Sequence, residues 1–207
     1  MPKITEIKIR EDKVTVEFDN QEKFILPPLV FSNYQLSSSQ DISEDLYYDL
    51  KKQSDKFKAK QKGLDFLARK DRSVAEVKKY LKRINLSDSI IDETLDSFIS
   101  LGYLNDYDFA RKYASYWLRH KVIGELLLKK KLYEKGLQRE IIEQVLKEED
   151  VFQINLDEIY SLAQKKYRSL EGKVNKKAKL ANFLRQRGFG SEVVFKMINR
   201  VTQEKEE

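Results

Sequence analysis

No cysteine occurs in the 207 residues. This excludes disulfides, thiolate metal sites and thiol nucleophiles, and it points to a reducing cytoplasm. Histidine and tryptophan occur once each. His120, in Leu118-Arg119-His120-Lys121, sits beside other positive charges at an expected helix end, which suits neither a metal ligand nor a poised general base. No glycine-rich phosphate loop is present, and the carboxylate pairs Asp92-Glu93 and Glu148-Glu149 fall in helical charge patterns without a matching cluster. The expectation is a protein that is not an enzyme and holds no cofactor and no metal. No run approaches the roughly 18 apolar residues of a membrane helix, and Met1–Glu6 lacks a basic-then-apolar export pattern, so neither membrane insertion nor export is expected.

Proline is scarce and confined to the start: Pro2, Pro27 and Pro28 are the only three. The following stretch of about 180 residues contains none, and glycine is limited to seven positions, which favours helix over strand. Before the proline pair the pattern has period two. Ile7 and Ile9, then Val14, Val16 and Phe18, then Phe24 and Leu26 are separated by turn-length polar segments, predicting a three-stranded antiparallel meander over residues 3–26. A polar run, Ser37–Asp41, leads to a helix start near Ser43. The highly charged stretch from Asp49 to Lys62 reads as a connecting helix between the sheet and the remainder of the chain.

That remainder is repetitive. Val77–Leu95, Leu128–Leu146 and Leu180–Ile198 align without a gap, about 51 residues apart. They share apolar residues at Val77/Leu128/Leu180, Leu81/Leu132/Leu184, Leu86/Leu137/Phe189, Ile90/Ile141/Val193, Ile91/Ile142/Val194 and Leu95/Leu146/Ile198. Asn85, Gly136 and Gly188 stand at the shared turn, where a left-handed residue closes one helix before the next. Ser73-Val74-Ala75-Glu76 has the spacing of a capping box. Each unit is expected to hold three helices, the first of them ending in Leu64/Leu67/Ala68 or built on Phe109/Ala110/Tyr113/Ala114/Trp117 or Ile159/Leu162/Ala163/Tyr167. The predicted class is mainly α: a tandem array of three three-helix repeats forming an elongated body, with a small N-terminal β module. The expected divisions are 1–28 for the meander, 29–59 for a loop and connecting helix, and 60–105, 106–152 and 153–207 for the repeats, the last with a polar tail.

Charge is unequal along this array. Residues 157–207 carry 12 basic and 7 acidic side chains, whereas residues 1–59 carry 9 and 11. Basic residues clustered toward one end suit a polyanionic or acidic partner, and a solvated lysine-rich helix face is the alternative. The candidate contact residues are Lys165, Lys166, Arg168, Lys173, Lys176, Lys177, Lys179, Arg185 and Arg187 in the third repeat, with Lys129 and Lys130 in the second. Consecutive residues of a helix point about 100° apart, so Lys129-Lys130-Lys131 cannot share one face, and Lys131 is expected to lay its stem along an apolar edge. Tyr113, Tyr116 and Trp117 have core spacing, with Tyr116 the candidate for an exposed contact.

Four further matches occur in order: Ser73–Val77 with Leu81; Gly102-Tyr103-Leu104-Asn105-Asp106-Tyr107-Asp108-Phe109-Ala110; Gly124 with Leu128, Leu132 and Gly136; and Phe183-Leu184-Arg185-Gln186-Arg187-Gly188-Phe189. Over about residues 60–201 the chain resembles the RecX family of bacterial regulatory proteins. Two positions depart from that pattern: Asn105, where aspartate is common, and Asn85, where glycine is. The resemblance implies a monomeric inhibitor that binds in the groove of a RecA recombinase filament on single-stranded DNA. It also implies suppression of ATP hydrolysis, strand exchange and filament extension, with single- or double-stranded DNA as a further partner. The alternative is a helical-repeat nucleic-acid-binding protein acting by competition for DNA.

Overall fold

A computed structural model describes residues 1–148 and 155–203 of the chain. The expected boundary at 152/153, Glu149 of one carboxylate pair and the polar tail beyond Gln203 lie outside the described residues.

The period-two pattern forms strands β1 (Ile4–Ile9), β2 (Val14–Phe18) and β3 (Lys23–Leu26), antiparallel and in sequence order. The register opposes Ile7 to Val16, Val16 to Phe24 and Val14 to Leu26. One face buries Ile4, Val14, Val16, Phe18, Phe24 and Leu26, with Ile7 half-buried. Ile9, read as part of the same apolar alternation, is 71% exposed at the end of β1, and Ile4 takes the buried place in that strand. The other carries an ionic ladder in which Lys8 and Lys23 each lie 3.0 Å from Glu17. These two lysines hold the Glu17 carboxyl below the ordinary range, first through Lys23 and then through Lys8. The proline pair does more than end the sheet. Pro27 caps and Pro28 begins a single helical turn, α1 (Pro28–Phe31), because proline at the first helical position gives up an N–H that has no intrahelical partner.

Helix α2 (Glu44–Leu67) opens at Ser43, whose hydroxyl accepts the Leu46 N–H at 3.2 Å. The charged stretch expected to connect the sheet to the repeats is the middle of this uninterrupted helix. Its buried stripe starts against the sheet with Tyr47, Leu50 and Ser54, then turns to the first repeat with Ala59 and Gly63. Ser54 Oγ accepts the N–H of Ile25 at 2.9 Å, satisfying a donor on the edge strand β3. At Gly63 a Cβ would fall 2.5 Å from the Phe98 ring, so the helices meet where only glycine fits.

The first repeat adds α3 (Val74–Lys82) and α4 (Asp88–Ser100) to the end of α2; the second comprises α5 (Asp106–His120), α6 (Glu125–Glu134) and α7 (Arg139–Leu146); the third comprises α8 (Leu156–Arg168), α9 (Lys176–Gln186) and α10 (Ser191–Gln203). The capping box at Ser73 and Glu76 is formed in both directions. Val77, Leu128 and Leu180 are fully buried, as are Leu81, Leu132 and Leu184, each contributing about 1.5–3 kcal/mol relative to exposure. The shared turn residues take positive φ, at +57° for Asn85, +76° for Gly136 and +84° for Gly188. Asparagine thus performs at the first turn what glycine performs at the others. The chain forms two compact units, Met1–Leu104 with the sheet and the first repeat, and a second from Asn105 onward with the other two.

Candidate partner-binding surface

Helix α8 is started by Asn155, whose side chain accepts the N–H groups of Asp157 and Glu158 at 3.1 and 3.3 Å. It ends with Lys165, Lys166 and Arg168 in its last turn, where cations complement the negative end of the helix dipole. Helix α9 does the opposite. It begins directly with Lys176, Lys177 and Lys179 and has no acidic residue in its first turn, although that end of a helix is positive. Asn175, in the left-handed conformation, precedes it without capping it through its side chain. Helix electrostatics does not favour this placement: Glu171 offsets Lys176 in part, whereas Lys177 and Lys179 stand exposed at the positive end of the helix, which marks a surface shaped by something other than helix stability.

The sequence-selected cations divide into two sets. Lys165, Arg168, Lys173, Lys177, Lys179 and Arg185 are exposed. Lys166, Lys176 and Arg187 are half-buried and hold aromatic rings: Lys166 and Arg187 lie 5.2 and 5.0 Å from the Phe183 ring centre, and Lys176 lies 5.4 Å from that of Tyr167. Such contacts contribute about 0.5–1 kcal/mol each at exposed sites, and they tie the end of α8 to α9. Lys176 also lies 3.8 Å from Glu171. Arg187 donates from Nη1 to the Val122 carbonyl at 3.2 Å, which makes it a structural clasp within the second unit.

Two of the α6 lysines find partners on their own helix and the third on α5. Lys129 pairs with Glu125 at 2.7 Å, and that hydrogen bond raises its pKa above the ordinary value. Lys130 is exposed, 4.0 Å from Glu134. Lys131 lays its ammonium 3.7 Å above the Trp117 ring, the edge contact expected of its stem. Tyr113 and Trp117 pack against the core of the second repeat, while Tyr116 is 58% exposed and lies against His120, the rings tilted by 32° with centres 4.5 Å apart. The imidazole Nδ1 sits 2.7 Å from the Tyr116 carbonyl oxygen, so the ring is tied to its own helix. Among the described residues no group of three or more acidic or histidine side chains could hold a metal ion, and no helix is long and apolar enough to cross a membrane.

Two features escaped the sequence reading. Residues 51–83 carry 13 basic and 4 acidic side chains, a density hidden when the chain is divided near residue 60. Much of this charge is answered across the first repeat: Lys56 reaches Glu93 at 2.6 Å, Lys78 reaches Asp92 at 2.7 Å and Lys82 reaches Asp88 at 3.0 Å. Helix α4 supplies those acids, whereas α10 has Glu192 as its one acidic residue. The second feature is a cleft of about 650 Å³ lined by Arg119, Lys121, Leu126, Glu158, Glu192 and Val193 among others. At its floor the backbones of the second and third repeats join: Gly124 N–H donates to the Arg187 carbonyl at 2.8 Å, and Leu126 N–H to the Gly188 carbonyl at 3.1 Å. The first turn of α6 is thereby capped by backbone from another repeat.

Comparison with known proteins places this arrangement. Residues 59–98 match the model of the first three-helix domain of RecX, and residues 153–198 match that of its third three-helix domain. The regulatory protein RecX of Listeria innocua is 29% identical over 92% of this chain and 72% of its own length, and that of Streptococcus agalactiae is 28% identical over 99% and 79%. A crystal structure of regulatory protein RecX superposes with a TM-score of 0.69, covering 97% of this chain and all of that one at 20% identity. The RecX structure from Lactobacillus salivarius gives 0.62 over 72% of this chain and 97% of its own, at 23% identity. These two show the same fold.

Proposed function

The chain belongs to the RecX family of regulatory proteins, and on that premise we propose that it inhibits a RecA recombinase by binding the filament assembled on single-stranded DNA. The observation that supports this reading is the run Lys173, Lys176, Lys177 and Lys179 leading into α9, where helix electrostatics favour acids. An acidic protein surface or DNA phosphate at that position compensates the repulsion, and exposed Lys165, Arg168 and Arg185 extend the same attraction. The inhibitor lies in the filament groove, opposes relative movement of neighbouring protomers, and so suppresses ATP hydrolysis, strand exchange and extension. It acts in the cytoplasm, as a monomer and without catalysis.

The test is to add the protein to preformed RecA filaments and follow single-strand-dependent ATP hydrolysis while competitor DNA is raised. Inhibition below one inhibitor per protomer that competitor DNA fails to relieve is the expected result; complete relief refutes it. A second reading, competition for DNA itself, is favoured by exposed Lys58, Lys60, Lys62, Arg69, Lys70, Lys79 and Arg83 in the first unit, and complete relief is what it predicts.

A further inference from the structure

Aligning the three repeats residue by residue exposes one position that changes kind. Lys78 and Asp92 form an ion pair at 2.7 Å across α3 and α4. The equivalent residues of the second repeat, Lys129 and Glu143, keep the same charges but pair within their own helices, Lys129 with Glu125 at 2.7 Å and Glu143 with Arg139 at 2.6 Å. In the third repeat these positions are Ala181 and Phe195. Phe195 is 68% exposed, whereas the buried residues of its helix are Val194, Met197 and Val201. An aromatic ring left in water where two sibling repeats keep a carboxylate is not a packing residue.

The rest of that face changes with it. Asp92, Glu93 and Asp96 of α4 correspond to Phe195, Lys196 and Asn199 of α10, so three acids give way to an aromatic, a cation and an amide. The inter-helix pairing of the first repeat, which also sets Lys82 3.0 Å from Asp88, aligns Arg185 of α9 with the start of α10 one turn from Phe195. Lys177 is one turn from Ala181 on the opposite side along α9. Glu192 is the one acid within α10, and Asp157 of α8 is taken up by Arg200 at 3.0 Å. The result is an apolar centre with a cationic surround, the layout of an energetic anchor within a charged rim.

We infer that Phe195 is the apolar anchor of a protein-docking face on α9 and α10, which takes an acidic segment of the recombinase filament carrying an apolar side chain. This docking face rests on the recombinase reading and adds to it a contact that salt does not screen. A protein segment suits the face better than nucleic acid does, because a cationic surround supplies steering while the ring requires an apolar socket in the partner.

The test uses the full chain, fluorescently labelled, titrated by anisotropy with preformed recombinase filaments and separately with an oligo-dT strand alone. F195D restores the acid of the sibling repeats at an exposed position, so helicity and melting temperature stay as they are. It weakens filament binding by about tenfold or more, while F195L, which keeps apolar bulk, retains most of it; oligo-dT binding is the same for all three. Filament binding by F195D equal to the unsubstituted chain overturns this inference alone. Parallel loss of oligo-dT binding overturns it in favour of base stacking. Failure of the unsubstituted chain to bind filaments overturns this inference and the recombinase reading together.

Discussion

Gly124 and Gly188 meet backbone to backbone: a Cβ on Gly124 would collide with the Gly188 carbonyl oxygen, and one on Gly188 with the Leu127 nitrogen. Both obstacles are main chain, so neither can swing aside. G124A is expected to destabilise the second unit by about 1–3 kcal/mol, and G188A by more because its φ of +84° also disfavours a side chain. Thermal melts monitored by circular dichroism check the size, and hydrogen exchange at Leu126 checks the place. A melting temperature unchanged in both variants would contradict the close approach.

Ser54 is buried and accepts the N–H of Ile25. S54A leaves that edge-strand donor facing apolar surroundings, at an expected cost of about 1–3 kcal/mol. Exchange of the Ile25 amide should accelerate far more than that of amides in α6. Equal acceleration in both would mean that the effect is not local to the sheet.

Tyr34 donates to the Asp49 carboxylate at 2.5 Å, and burial together with this bond pushes its pKa up to about 12 from an ordinary 10. Because the folded chain holds this proton more tightly than the unfolded one, the associated stability is fully present below about pH 10 and is lost as pH rises through about 12. Ultraviolet titration of tyrosinate should therefore show a late component that Y34F removes. D49N should shift it toward lower pH. A titration curve with no late component in the native chain would refute the assignment.

Reversing charge at Lys173, Lys177 and Lys179 to glutamate should weaken filament binding by on the order of tenfold at low salt and flatten its salt dependence, because all three are exposed. Helicity should hold or rise, since acids suit the first turn of α9. Lys176 is better left alone because it also lies against Tyr167. Unaltered inhibition in the triple variant would move the contact surface elsewhere.

Much of the fold was legible because its determinants are local. Alternation marked the strands, the Ser73 and Glu76 spacing marked a helix start, and the threefold apolar period marked three cores. The backbone cap on α6 was not legible. Its partner is a carbonyl, which every residue possesses, and the sequence signals only a glycine at each side. The contact set was chosen by charge, which cannot distinguish Arg187, committed to Val122 and Phe183, from exposed Arg185. Nor did counting by segment show that the cations of α3 face acids on α4, whereas Glu192 is the one acid that α10 offers to those of α9. That distinction requires knowing which helix faces which.

The bond from Arg187 to Val122 spans 65 residues, and the amides of Gly124 and Leu126 wait on the same distant turn. During synthesis, at about 5–20 residues per second, the start of α6 would emerge roughly 3–13 s before the backbone that completes it. The second repeat is thus born with an open end, and a chain truncated before the third would keep it.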